Sequence, residues 1–144
     1  MEQKSKVYLY QTAVKWTEQR KGVIACTGKP DVQVATPPEF KGHDGIWSPE
    51  DLFVASANVC LMTTFLAVAE RAGLAFSSYE STAEGRLELV EGKFQFTAIT
   101  IRPSIILKPG GDPARAKELI EKAEHNCLIS NSMKAKVTLE ATIG

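Results

Sequence analysis

Residues 52–69 carry apolar side chains at Leu52, Phe53, Val54, Ala55, Ala57, Val59, Leu61, Met62, Phe65, Leu66, Val68 and Ala69. At about 100° per residue these positions cover most of the circumference of a helix, so the helix has no natural solvent face. A helix of that kind has to be buried on every side. A chain of 144 residues fits one domain, and its 44% hydrophobic content can build a core, but so small a domain has little other structure with which to wrap one helix completely. The expectation is a homodimer in which a second copy covers part of the helix. Ser56, Asn58, Thr63 and Thr64 interrupt the run, which argues against a membrane span.

The start and stop signals of this helix are written into the sequence. Ser48 can cap, Pro49 suits the first helical position, Glu50 and Asp51 face the positive end of the helix dipole, and Gly73 ends the helix after about residue 71. Period-two alternation predicts strands over residues 6–16 and 22–26, with Lys21-Gly22 in the turn, and a short third strand over 32–34 that stops at Thr36-Pro37-Pro38. Residues 40–47 read as a loop.

After the long helix, residues 78–90 and 93–107 are β-rich and are separated by Glu91-Gly92, a hairpin turn signal. Asp112-Pro113 opens a second helix with Ala116, Leu119, Ile120 and Ala123 at helical spacing, ending near His125 or Asn126. Residues 127–131 read as irregular, and 135–143 as a closing strand. The order βββ-α-ββ-α-β is an α+β plan of antiparallel sheets around a long buried helix, in a single domain over residues 1–144.

The 17 basic and 17 acidic side chains cancel and are scattered, which points away from nucleic acid as a partner. Residues 1–6 lack the apolar stretch of a secretory leader, so the expected location is the cytoplasm. Three cysteines without a CxxC pair, and two histidines, His43 and His125, without companion ligands, make neither a zinc site nor a secreted disulfide framework. No metal is expected. Cys26, in a predicted strand, reads as packing.

Cys60 lies well inside the apolar helix, beyond the reach of its dipole, so it is either a small buried hydrophobe or a thiol activated by another positive group. Cys127 follows the second helix among polar residues. Two separated thiols could supply a nucleophile for an O–O bond and a partner to condense with the resulting sulfenic acid. Phe40, Trp47, Phe53 and Met62 could line an apolar pocket, although for each of them the core is the simpler role.

Ser48-Pro49-Glu50-Asp51-Leu52-Phe53, then Ala57-Asn58-Val59-Cys60, and later His125-Asn126-Cys127-Leu128-Ile129-Ser130-Asn131 resemble the two signature segments of the OsmC/Ohr superfamily, whose element order is also similar. The resemblance implies an intertwined homodimer with two interfacial sites. It further implies reduction of organic hydroperoxides to alcohols without metal, haem or flavin, and a Cys60–Cys127 disulfide restored to thiols by an external dithiol such as a lipoyl group. Cys60 matches the peroxidatic position and Cys127 the resolving one. Glu50 matches a glutamate that orients a thiolate-stabilising arginine, for which Arg20 is the candidate.

A guanidinium beside sulfur favours the thiolate, and a carboxylate can fix that guanidinium in place. Glu50 and Cys60 are separated by about 15 Å along one continuous helix, so Glu50 would serve the Cys60 of the other subunit unless the helix breaks. The competing readings are a non-catalytic module that binds an apolar small molecule, and a thiol redox sensor acting through a protein partner.

Overall fold

A computed structural model describes residues 6–144; residues 1–5, in which a secretory leader was sought, lie outside the described residues. The chain divides into two compact units, Met1–Leu52 and Phe53–Gly144.

The first unit holds an antiparallel sheet of β1 (Ala13–Glu18), β2 (Lys21–Ala25) and β3 (Val32–Ala35), in that order. β1 does not begin at residue 6 as the alternation predicts. Its neighbour β2 is short and the ladder is closed by the Ala13–Ala25 pair, so Val7, Leu9 and the residues around them have no strand to pair with in this sheet. The turn is Gln19-Arg20, with Gln19 at φ 50°, and Lys21-Gly22 belongs to β2. Gly22 is required for close approach and not for a turn, because a Cβ there would stand 2.8 Å from the Lys15 carbonyl oxygen. β3 ends before the prolines, and Trp47 returns to bridge Val34.

Helix α1 (Pro49–Ala72) has the predicted limits. The Ser48 hydroxyl accepts from the Asp51 backbone N–H at 3.0 Å, and the Asp51 carboxylate accepts from the Ser48 N–H at 2.9 Å, a reciprocal cap on orphan donors. Gly73, at φ +70°, ends the helix in the left-handed conformation.

In the second unit β4 (Phe76–Val90) and β5 (Lys93–Leu107) form a long antiparallel hairpin. Its turn places Glu91 and Gly92 at φ 51° and 80°, the geometry that matches strand twist. α2 (Pro113–His125) is capped by the Asp112 carboxylate. Residues 127–131, expected to be irregular, contain a single helical turn, α3 (Leu128–Asn131), with Cys127 at its N-cap. The expected closing strand is two strands, β6 (Lys136–Leu139) and β7 (Thr142–Ile143), both paired with β5 in parallel. The parallel pairing follows from connectivity, since the chain crosses over through α2 before rejoining the sheet.

The core of this unit is built on one side of α1. Ala57, Leu61, Phe65, Val68 and Ala69 pack with Ile99, Ile101 and Ile105 of β5 and with Leu119, Ile120 and Ala123 of α2. Phe65 stacks on Tyr79 at 5.5 Å, and Phe53 on Phe96 at 4.9 Å. α1 is long and apolar enough to cross a membrane, yet this packing uses its apolar side as a core. The coverage is incomplete, for Val59 is 54% and Leu66 41% exposed.

Gly85 of β4 lets the hairpin close onto α1, since a Cβ there would meet Val54 Cγ2 at 2.5 Å and Phe96 Cε1 at 2.9 Å. Gly85→Ala is expected to destabilise the protein by about 1–3 kcal/mol through overpacking. Urea denaturation checks this; an unchanged midpoint would contradict the close approach.

Candidate active site

Two segments distant in sequence bring two thiols together. Cys60 projects from the covered side of α1 between Ala57 and Leu61, all three buried. Cys127 follows α2 in an extended conformation at the N-cap of α3 and is fully buried. The Cys60 sulfur is in hydrogen-bonding contact with the Cys127 thiol, and the backbone of Leu128 and Ile129 hydrogen-bonds to it as well. Thr64, one turn along α1, places its hydroxyl 3.8 Å from the Cys60 sulfur. On the far side, the Ser130 hydroxyl donates to the Cys127 sulfur at 3.4 Å.

The two thiols are driven in opposite directions. Burial raises the pKa of Cys60 and is the largest single influence on it, but the hydrogen bonds from Cys127, Ile129, Thr64 and Leu128 together outweigh it and leave Cys60 below the ordinary thiol value. Burial also dominates at Cys127, where Ser130 offsets it in part and the nearby Cys60 charge adds to it, so Cys127 lies above the ordinary value. Cys60 is therefore the more acidic thiol of the pair and Cys127 the less acidic one. Of two thiols in contact, the one more readily ionised is the better placed for nucleophilic attack.

Tyr79, on β4, is the other titratable group that senses the pair. Burial raises its pKa, nearby Ser81 lowers it, and the charge on Cys127 raises it further. Its hydroxyl is buried and completes no hydrogen bond. Ser81 is itself held by α1, donating to Asn58 Oδ1 at 2.7 Å while its carbonyl accepts from Asn58 Nδ2 at 3.4 Å.

Glu50 stands in the first turn of α1 with one carboxylate oxygen, Oε1, buried and without a partner. It lines a cleft of about 600 Å³ together with Pro37, His43, Trp47 and Asp51. α1 is unbroken from Pro49 to Ala72, so Glu50 and Cys60 remain about 15 Å apart along its axis. The Arg20 guanidinium donates to the Phe40 carbonyl at 3.2 Å, and Arg20 and Glu50 form no ion pair among the described residues. Thus Cys60 and Cys127 are brought together, while Glu50 and Arg20 are not paired with each other.

Cys26 lies half-buried just beyond β2. His43 is in the loop that lines the Glu50 cleft, and His125 is exposed at the end of α2. Among the described residues no three His, Cys, Asp or Glu side chains are placed to hold a metal ion. Four contributors to the site carry no expected role from the sequence. Thr64 and Ser130 carry the spacing signal of hydroxyls four and three residues from a cysteine, whereas the Leu128 and Ile129 amides have no signature in side-chain identity.

Because hydrogen bonding favours the Cys60 thiolate, alkylation of Cys60 by iodoacetamide is expected to rise through an inflection below that of an ordinary thiol, measured on a cysteine-containing model peptide. Cys127→Ala removes the largest favourable contribution and is expected to move that inflection upward. Rates measured against pH with mass-spectrometric identification of the labelled residue check both; an inflection above the ordinary value in the unaltered protein would contradict the assignment.

The sequence profile described as "OsmC-like protein" matches residues 42–142. Among curated proteins, the chain is 31% identical to the uncharacterized protein YmaD of Bacillus subtilis over 110 residues, covering 74% of this chain and 73% of that one. It is 30% identical to the protein named peroxiredoxin OsmC of Escherichia coli over 101 residues, covering 70% and 69%. Among solved structures, the fold is similar to an OsmC-like protein of unknown function from Vibrio cholerae, with a TM-score of 0.84 at 23% identity, covering 91% of this chain and 97% of that one. It is also similar to the organic hydroperoxide resistance protein OsmC of Legionella pneumophila, with a TM-score of 0.72 at 26% identity, covering 95% and 98%. With the two signature segments, their thiols in contact and the α+β element order all present, the chain belongs to the OsmC-like protein family.

Proposed function

We propose that this protein is a cysteine-based peroxidase that reduces organic hydroperoxides to alcohols. In this reading the Cys60 thiolate attacks the distal peroxide oxygen and the alcohol departs. Cys127 then condenses with the Cys60 sulfenic acid to form a disulfide, and an external dithiol of lipoyl type reduces it. No metal or organic cofactor enters the cycle.

The observation that carries this reading is the contact between two thiols of opposite acid–base character, one poised as the nucleophile and the other within reach to resolve it. Relatives named a peroxiredoxin and an organic hydroperoxide resistance protein agree with it. In this reading an organic peroxide is preferred over hydrogen peroxide, and the exposed apolar side chain of Leu128, next in sequence to Cys127, supports it.

The working form in this proposal is a cytoplasmic homodimer. A second copy would cover Val59 and Leu66 on α1 and complete the burial that the helix composition demands. Glu50, with a buried oxygen awaiting a donor, and Arg20 would then act at the Cys60 of the partner subunit, the guanidinium stabilising the thiolate and the carboxylate orienting it.

The test is a thiol count on reduced, anaerobic protein before and after one equivalent of cumene hydroperoxide. Of the three cysteines, two are expected to disappear from the count and to return on addition of a dithiol, while Cys60→Ser loses none at a comparable rate. A count unchanged by peroxide, or an equal loss in Cys60→Ser, overturns the reading.

A further inference from the structure

In the reduced site the thiol of Cys127 is committed to Cys60 before any peroxide arrives. Its side chain is fully buried, which shelters its proton from solvent, and it lies within hydrogen-bonding reach of the Cys60 sulfur. Among the described residues of this chain, the other groups that hydrogen-bond to the Cys60 sulfur are the Thr64 hydroxyl and the Leu128 and Ile129 amides. These can hydrogen-bond to a thiolate, but near neutral pH they do not release a proton. The alkoxide expelled when a peroxide bond breaks is strongly basic and needs one. Cys127 holds the acidic proton in contact with the attacking sulfur, and Ser130, a buried residue whose hydroxyl donates to the Cys127 sulfur at 3.4 Å, stands ready behind it.

We propose that Cys127 acts in the first chemical step as well as the second, as the general acid that protonates the departing alkoxide, and that Ser130 is the positioning residue that stabilises the Cys127 sulfur once that proton has gone. The inference rests on the peroxidase reading and deepens it. The Cys60 thiolate forms an S–O bond to the distal oxygen as the O–O bond breaks; sulfur is oxidised and the peroxide reduced by two electrons. The bonding pair leaves with the proximal oxygen, which takes the Cys127 proton and departs as alcohol, while the distal oxygen keeps its hydrogen and Cys60 becomes a sulfenic acid. Cys127 is now a thiolate. It attacks the Cys60 sulfur, the S–S bond forms, the S–O bond breaks and hydroxide leaves, to be protonated by solvent. One proton transfer thus removes the product and arms the resolving nucleophile, so Cys127 is activated only after Cys60 has been oxidised.

Burial, which holds Cys127 protonated in the reduced state, agrees with this order. The titratable groups facing the pair are Cys60, Cys127 and Tyr79 of β4.

The test follows sulfenic acid formation by stopped flow with cumene hydroperoxide in the full chain, each rate divided by the fraction of Cys60 present as thiolate, read from its ultraviolet absorbance. In the unaltered protein the corrected rate is expected to fall at alkaline pH, where Cys127 gives up its proton. Cys127→Ala is expected to be slower by about 100-fold at neutral pH and to lose the alkaline fall. Cys127→Ser, whose hydroxyl donates a hydrogen bond but keeps its proton, is expected to behave in the same way, while Tyr79→Phe retains the fall.

In Ser130→Ala disulfide closure is expected to slow about tenfold, so that dimedone traps more of the sulfenic acid. A corrected rate in Cys127→Ala and Cys127→Ser equal to that of the unaltered protein overturns the proton-donor role, and so does loss of the alkaline fall in Tyr79→Phe. Closure at the unaltered rate in Ser130→Ala overturns the role of Ser130. Absence of peroxide reaction in the unaltered protein is a different result, and sinks the peroxidase reading itself.

Discussion

Everything in this structure is organised by a helix that cannot face water. α1 carries a cap, a proline and two acids at its start and a left-handed glycine after its end. Between those signals its composition leaves no stripe for solvent. The three isoleucines of β5 and the apolar face of α2 cover one side of it, and Gly85 allows the hairpin to approach without a Cβ in the way. Val59 and Leu66 mark the side that the single chain leaves open. In the proposed homodimer a second copy covers it.

The same constraint creates the chemical problem that the site has to solve. A cysteine in the middle of an apolar helix, far beyond the influence of the helix terminus, is raised by burial and should be inert. Hydrogen bonds from four directions overcome that cost at Cys60, and two of them come from the backbone at the start of α3. Burial wins at Cys127, where a single hydroxyl and a neighbouring negative sulfur cannot offset it. Two identical side chains in contact thus take opposite roles because of what surrounds each one.

Much of this was legible in the residues. Ser48-Pro49 and Gly73 delimited α1 to within a residue, and Glu91-Gly92 located the long hairpin, because caps and positive-φ turns are local chemistry. The start of β1 is not legible in the sequence, because alternation in residues 6–12 says nothing about whether a partner strand reaches that far. Lys21-Gly22 has the composition of a turn, whereas the nearness of Lys15 that requires Gly22 is a tertiary fact. The closing segment was read as one strand, since only its pairing with β5 reveals the interruption at Glu140 and Ala141. At the site, Cys60 and Cys127 stood out by type and setting, whereas the amides of Leu128 and Ile129 have no side-chain signature and became visible only once α3 was seen to be a helical turn.

The account turns on Cys60 and Cys127 forming one redox unit within a single chain. The most direct measurement is a mass-spectrometric map of the protein digested under non-reducing conditions after oxidation by one equivalent of an organic hydroperoxide. The account predicts one cross-linked product joining the Cys60 and Cys127 peptides, from a chain that still migrates as a monomer under denaturing conditions, with Cys26 unmodified. A disulfide that includes Cys26, a covalent link between chains, or oxidised Cys60 that never joins Cys127 would contradict it.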